Sequence, residues 1–287
     1  MSANSDVQRW WTENPMTYGA THGRSDYLDG GQQPGSLEFF DRLDREFYSW
    51  NKPLHKDRPF DRLFPYDRYG KGRKVLEIGC GLGTMAMNWT RNGVDMTAVD
   101  LNMTSITQSR RRFELLGLEA DIRQMDATRL EIADGMFDYA YSWGVLHHSP
   151  NLGQSLAEMM RVTKPGGEFG IMLYNRRSFL HWYMTEYLEG YLHYENEFLT
   201  PLQLASRYSD GGREEGNPHT WPVTADEVMA MLSPFVDRCE VAVLGTDLDS
   251  IFKYLIPGVG MFLPGWAKKP WARRFGWSLW ITGSRKK

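Results

Sequence analysis

The chain alternates two hydrophobic rhythms. Short apolar runs lie over 75–78, 96–100, 120–125, 137–143 and 168–173. Runs of this length read as buried strands. Between them, positions 84–92, 104–116 and 152–162 repeat apolar residues every three or four places, the period of a helix with one buried face. Strand and helix alternate in this way through five strands, which predicts an α/β fold with a parallel, doubly wound sheet. Later runs at 239–244 and 277–283 predict the last two strands.

The flanks depart from this rhythm. Residues 1–35 read as an irregular arm with Trp10, Trp11, Tyr18 and Tyr27 and a turn-rich segment over 14–19. The arm either covers the back of the core or closes over a ligand. Positions 36–50 place Leu37, Phe40, Leu43, Phe47 and Trp50 on one helical face, with Ser36 as N-cap. Residues 51–74, with Pro53, Pro59 and Pro65, read as a polar connector. After the fifth strand, 177–195 predicts a long helix, interrupted at Gly190 and apolar on more than one side. It is a core cover, a homodimer face or the roof of a ligand pocket. Residues 200–222 read as a polar loop, and 223–231 as a helix capped by Thr224. The division is an N-terminal arm and cap helix at 1–70, a core at 71–175, a helical insertion or lid at 176–222 and completion of the sheet at 223–287.

Much of the chemistry gathers in Val75-Leu76-Glu77-Ile78-Gly79-Cys80-Gly81-Leu82-Gly83-Thr84. A strand, a glycine turn and a helix start make the first βα unit of a nucleotide-binding sheet. Glycines let the backbone turn and approach a ligand with no Cβ in the way. The helix start offers free N–H groups to a polar ligand. The dinucleotide fingerprint G-x-G-x-x-G/A fits poorly, because its third small residue falls on Thr84. The order is instead E-x-G-x-G-x-G, and it resembles motif I of the class I S-adenosylmethionine (SAM)-dependent methyltransferases. Two further segments are similar to small-molecule members of that family. One is Phe137-Asp138 followed by Val145-Leu146-His147-His148, and the other is the turn Thr163-Lys164-Pro165-Gly166-Gly167 before the fifth strand. The resemblance covers residues 70–175.

The resemblance implies a seven-stranded, mostly parallel Rossmann-like sheet, with the seventh strand antiparallel beside the sixth. It implies SAM as the methyl donor. Glu77, Gly79, Cys80, Gly81, Gly83 and Thr84 would surround its amino-acid end. Asp100 closes the second strand, 17 residues after Gly83, where a carboxylate reaches ribose hydroxyls; Leu101 follows it. Asp126 and Ala127 stand where family members contact the adenine. Ser142 and Trp143 end the fourth strand at the cofactor edge. Tyr141 and Trp143 share one face of that strand.

Composition narrows the class. The chain has 287 residues, 41% hydrophobic and 24% charged, as for an ordinary globular protein. A net charge of -3 gives nucleic acid no attraction. Cys80 and Cys239 make no disulfide framework, and no His/Cys cluster has metal spacing, so no metal is expected. The polar N-terminus does not read as a signal peptide. The longest uncharged run, 14 residues between Lys253 and Lys268, carries Pro257 and Pro264 and is too short to span a bilayer. These features predict a cytoplasmic enzyme. Residues 266–275 interleave aromatics with bases and read as a solvated loop, with docking on a membrane surface as the alternative.

Methyl transfer from a sulfonium is an in-line displacement in a dry pocket. If the acceptor is a hydroxyl or ammonium, a base must take its proton. His147 and His148 follow the fourth strand and are the candidates; the alternative is that they only pack there. Tyr18 and residues from 179–208 are expected to line the acceptor cavity. The motifs of amino-methylating nucleic-acid enzymes, arginine methyltransferases and catechol-type metal enzymes are not seen. The expectation is metal-independent methylation of a small metabolite, with a hydrophobic one in view, at O, N or C. The rival readings are a NAD-type oxidoreductase and a non-catalytic SAM-binding module.

Overall fold

The computed structural model describes residues 3–14, 34–210, 216–245 and 265–287. Seven strands form one sheet. They are β1 Lys74–Ile78, β2 Asp95–Asp100, β3 Asp121–Gln124, β4 Phe137–Trp143, β5 Thr163–Tyr174, β6 Val236–Leu244 and β7 Ser278–Arg285. Their order is β3-β2-β1-β4-β5-β7-β6. The first five pair in parallel, and β7 runs antiparallel to both β5 and β6. The helices are α1 Ala3–Glu13, α2 Leu37–Trp50, α3 Thr84–Arg91, α4 Met103–Leu116, α5 Leu152–Val162, α6 Pro201–Tyr208, α7 Ala225–Leu232 and α8 Gly265–Phe275. The chain reverses its direction of travel across the sheet between β1 and β4. The crevice at such a switch point, outside the carboxyl ends of the strands, is where α/β sheets bind ligands.

Alternation along the strands feeds two cores. Leu76, Ile78, Ala140, Ile171 and Leu173 pack with Leu156 and Met159 of α5 and Val228 and Leu232 of α7. On the other face, Val75, Met96, Ala98, Tyr139 and Tyr141 meet Trp89 of α3, Phe113 of α4 and Phe47 of α2. Trp143 packs on the same side as Tyr141, as the strand period requires.

Several flanking segments differ from the pattern-based expectation. The start of the arm is a helix, α1, with Val7 buried. Residues 51–74 are no polar connector: Leu54, Phe60, Phe64 and Tyr66 are buried. The rings of Phe64 and Tyr66 lie 5.7 and 4.5 Å from Trp89. The prolines mark turns, while the aromatics between them carry the burial. The insertion is a π-helix over His181–Leu192. Its Trp182, Tyr187 and Tyr191 stack along the outside and are exposed. The residues it buries are His181, Thr185 and Gly190. Within the expected loop lies α6, started by a capping box of Thr200 and Gln203 with Pro201 in its first turn. The basic-aromatic stretch is a helix, α8, rather than a loop. Among the described residues no helix is long and apolar enough to cross a membrane.

Candidate active site

The glycine loop leaves the end of β1 with Gly79, Gly81 and Gly83 at φ +83, +50 and +79°. A Cβ on Gly79 would lie 2.3 Å from Val145 Cγ2, and one on Gly83 would lie 3.1 Å from Ser109 Oγ. At Gly81 it would meet nothing within 4 Å. Gly79 and Gly83 thus answer to the protein's own packing, while Gly81 faces open space where a ligand can approach the backbone. The N–H groups of Gly79 and Cys80 donate to the Val99 carbonyl at 2.7 and 3.0 Å. Asp100 holds the loop from β2: Oδ2 accepts the Gly81 N–H and Oδ1 the Asn102 N–H, both at 2.9 Å. Burial raises the Asp100 pKa, against the pull of these N–H groups. Carboxylate, bare glycine and the start of α3 therefore stand together at the crevice.

Other expected donor-site residues support the loop from behind. Glu77 is turned into the core beneath it. Burial pushes its carboxyl well above the usual carboxylate range; the Tyr141 hydroxyl and the Ala86 N–H pull it down, and Asp100 pushes it further up. Thr84 is buried, donating to Asp44 Oδ1 at 3.0 Å and accepting from Arg112 at 2.8 Å. Cys80 is buried in the core. Ser142 is fully buried and donates to the Ile78 carbonyl at 2.8 Å, tying β4 to β1. Trp143 packs edge-on against Phe60 at 4.9 Å, within the aromatic core. Leu101 presents its carbonyl to Gln124. Asp126 Oδ1 accepts from the N–H and hydroxyl of Thr128, which fixes the carboxylate at the end of β3; Ala127 packs against the core.

Glu77 yields a testable pH effect. A folded pKa raised above the unfolded one means that the folded state keeps a proton the unfolded chain has lost. Stability then falls as pH rises from the ordinary carboxylate pKa towards the folded value. Glu77→Gln should flatten this fall by up to about 1.4 kcal/mol per pH unit. Urea unfolding of both proteins across that window measures it; parallel curves would contradict the assignment.

A second cluster lies beyond β4. His147 and His148 sit in a single 3-10 turn, Leu146–His148. The His147 ring lies 3.9 Å from that of Tyr174 at the end of β5. Burial, with His148 and His219 nearby, holds His147 well below the usual histidine range and so neutral. His148 Nδ1 faces Thr220 Oγ1 at 2.9 Å and the His219 carbonyl at 3.1 Å. Its Nε2 lies 3.1 Å from Asp210 Oδ2, and Tyr174 donates to Asp210 Oδ1 at 2.9 Å. Neither ring therefore suits the expected base: His147 is wholly enclosed, and both nitrogens of His148 face protein groups. Asp210, Tyr174 and Thr220 had no motif to mark them, because the fold gathers them from three separate segments.

The arm lies on this same edge. Gln8 donates to the Leu101 carbonyl at 3.3 Å, Asn102 donates to the Trp11 carbonyl at 2.9 Å, and Thr104 to that of Thr12 at 3.2 Å. The Trp11 ring meets His148 edge-on at 4.9 Å. Thus α1 spans from the end of β2 to the turn after β4, over the crevice. Tyr18 lies outside the described residues.

This sheet order, with its antiparallel β7 beside β5 and β6, is the fold of solved SAM-dependent methyltransferases. Residues 76–171 match the family model described as "Methyltransferase domain". The demethylmenaquinone methyltransferase of Beutenbergia cavernae is 36% identical over 135 residues, which is 47% of this chain and 52% of that protein. The ubiquinone biosynthesis O-methyltransferase of Pseudomonas aeruginosa is 29% identical over 172 residues, 57% of this chain and 74% of that one. The chain thus spans about half the length of the first relative and three quarters of the second. A solved geranyl diphosphate C-methyltransferase from Streptomyces coelicolor shares the fold, with a TM-score of 0.56 at 16% identity, over 100% of this chain and 98% of that one.

Proposed function

We propose that the protein transfers the methyl group of SAM to a small-molecule acceptor. The observation that carries this is the open space at Gly81, bordered by Asp100 and the start of α3. A sulfonium donor needs no pyrophosphate cradle, which agrees with glycines spaced two apart. The relatives' names, a demethylmenaquinone and a ubiquinone-pathway methyltransferase, support an acceptor of metabolite size. Asp100 takes the ribose hydroxyls and Asp126 with Ala127 the adenine. The acceptor enters between α1 and the ends of β4 and β5, bordered by Trp11. Catalysis then rests on alignment and exclusion of water, which is most of what a methyl displacement asks. We place the activity in the cytoplasm, without a nucleic-acid partner, and read the outward aromatic face of the insertion as the candidate dimer face.

Asp100→Ala tests the donor half. It removes charge-assisted bonds worth about 1.5–3 kcal/mol each. Calorimetry with S-adenosylhomocysteine should therefore show at least about tenfold weaker binding. Unchanged affinity in a folded variant, or tight binding of NAD in place of S-adenosylhomocysteine, would overturn the reading.

A further inference from the structure

Three donor side chains converge beside the crevice, and two of them carry buried polar atoms without a hydrogen-bond partner among the described residues. His147 is 0% exposed, and neither of its ring nitrogens has a hydrogen-bond partner among the described residues. Asp210 Oδ2 is buried and also lacks one. His148 Nε2 stands 3.1 Å from that oxygen, yet the two are not aligned as a hydrogen bond. One ligating atom from each of the three residues lies within 4.8 Å of the others.

Counting protons sharpens this. Thr220 Oγ1 donates to Asn217 Oδ1 at 2.8 Å, so it accepts from His148 Nδ1. The same nitrogen faces the His219 carbonyl, which only accepts. His148 Nδ1 therefore carries a hydrogen, and Nε2 on the other side of the ring faces the Asp210 carboxylate oxygen. Buried acceptors left unpaired cost free energy. A single cation would meet all three.

We infer that His147, His148 and Asp210 form a site for one divalent transition-metal ion of the zinc class. No motif marks it, because a histidine pair and a distant aspartate have no metal-ligand spacing. Metal bonds of about 2.0–2.2 Å set neighbouring ligand atoms about 3.0–3.5 Å apart, and His148 Nε2 and Asp210 Oδ2 already have that spacing. His147 closes the rest by turning its ring. Two imidazoles and one carboxylate favour Zn²⁺, Co²⁺ or Fe²⁺ over Mg²⁺ and Ca²⁺, which prefer all-oxygen sites. The outer groups are also in place: Tyr174 holds Oδ1 and leaves Oδ2 inward, and Thr220 with the His219 carbonyl fixes the His148 ring. The ion would join the turn after β4 to the segment just past α6.

The full chain, stripped with a chelator and dialysed, is titrated with Co²⁺ and followed by its visible spectrum, and with Zn²⁺ by calorimetry. One equivalent should bind. His147→Ala and Asp210→Asn should each weaken Co²⁺ binding at least about tenfold. S-adenosylhomocysteine binding, measured in the same samples, reports on the donor site separately and shows that each variant is folded. Where a ligand variant does not fold, Tyr174→Phe removes one orienting hydroxyl and should weaken Co²⁺ binding about tenfold. Wild-type protein that takes up no stoichiometric Co²⁺, as a simple imidazolium–carboxylate pair would, overturns the site. So does uptake that these variants leave unchanged.

Discussion

Removing residues 1–18 should lower methyl transfer about a hundredfold or more while the sheet remains folded. The helix α1 is held across the crevice by three hydrogen bonds to the Leu101–Thr104 segment and by Trp11 against His148. The sheet can position SAM, but its own strands cannot enclose an acceptor, and water must be kept from the transferring methyl. Misplacing a reacting group by about 1 Å costs on the order of 10²-fold. The arm adds little to the cores: among the described side chains of α1, Val7 is the one buried apolar residue. Turnover of labelled SAM and the thermal unfolding midpoint, measured on the same truncated protein, check both halves. Full activity in the truncated protein would show that the arm is not the lid.

The largest effect on stability should come from Arg112. Its side chain is 1% exposed and pairs with Asp44 of α2. It also donates to the Leu82 carbonyl at 3.1 Å and to Thr84 Oγ1 at 2.8 Å, and lies over the Phe40 ring. One guanidinium thus locks α2, the glycine loop and α4 together. Arg112→Ala leaves the Asp44 carboxylate without its counter-charge and opens a cavity. Breaking such a pair typically costs about 3–5 kcal/mol. Urea unfolding should show this loss, and the double change Arg112→Met with Asp44→Leu should recover much of it. A loss below about 1 kcal/mol would mean that the pair is solvated.

How much was legible follows from how local each signal is. The five parallel strands, the glycine loop and Asp100 depend on short-range period and spacing, and they stand where the pattern put them. The donor-site list was less exact. Spacing brings Glu77, Thr84 and Ser142 to the loop, but which way each side chain turns is decided by Arg112, Asp44 and the Ile78 carbonyl, which lie elsewhere in the chain or on its backbone. Aromatic content alone did not tell inside from outside: Phe60 and Phe64 fill the core, whereas Trp182 and Tyr191 face out. The helix α6 was missed although its signal is local: Thr200, Pro201 and Gln203 spell a helix start. The cluster of His148, Asp210 and Tyr174 was not, since only the folded chain brings those three segments together.

The central claim is methyl transfer to a small acceptor. It is tested most directly by incubating the full chain with methyl-labelled SAM and a small-molecule metabolite extract. Label should appear in an extractable small molecule, with S-adenosylhomocysteine formed in equal amount. It should fall at least about tenfold when Asp100→Ala replaces the wild type at limiting SAM. Tight binding of SAM with no label transferred to any acceptor would contradict the claim and leave a binding module in its place.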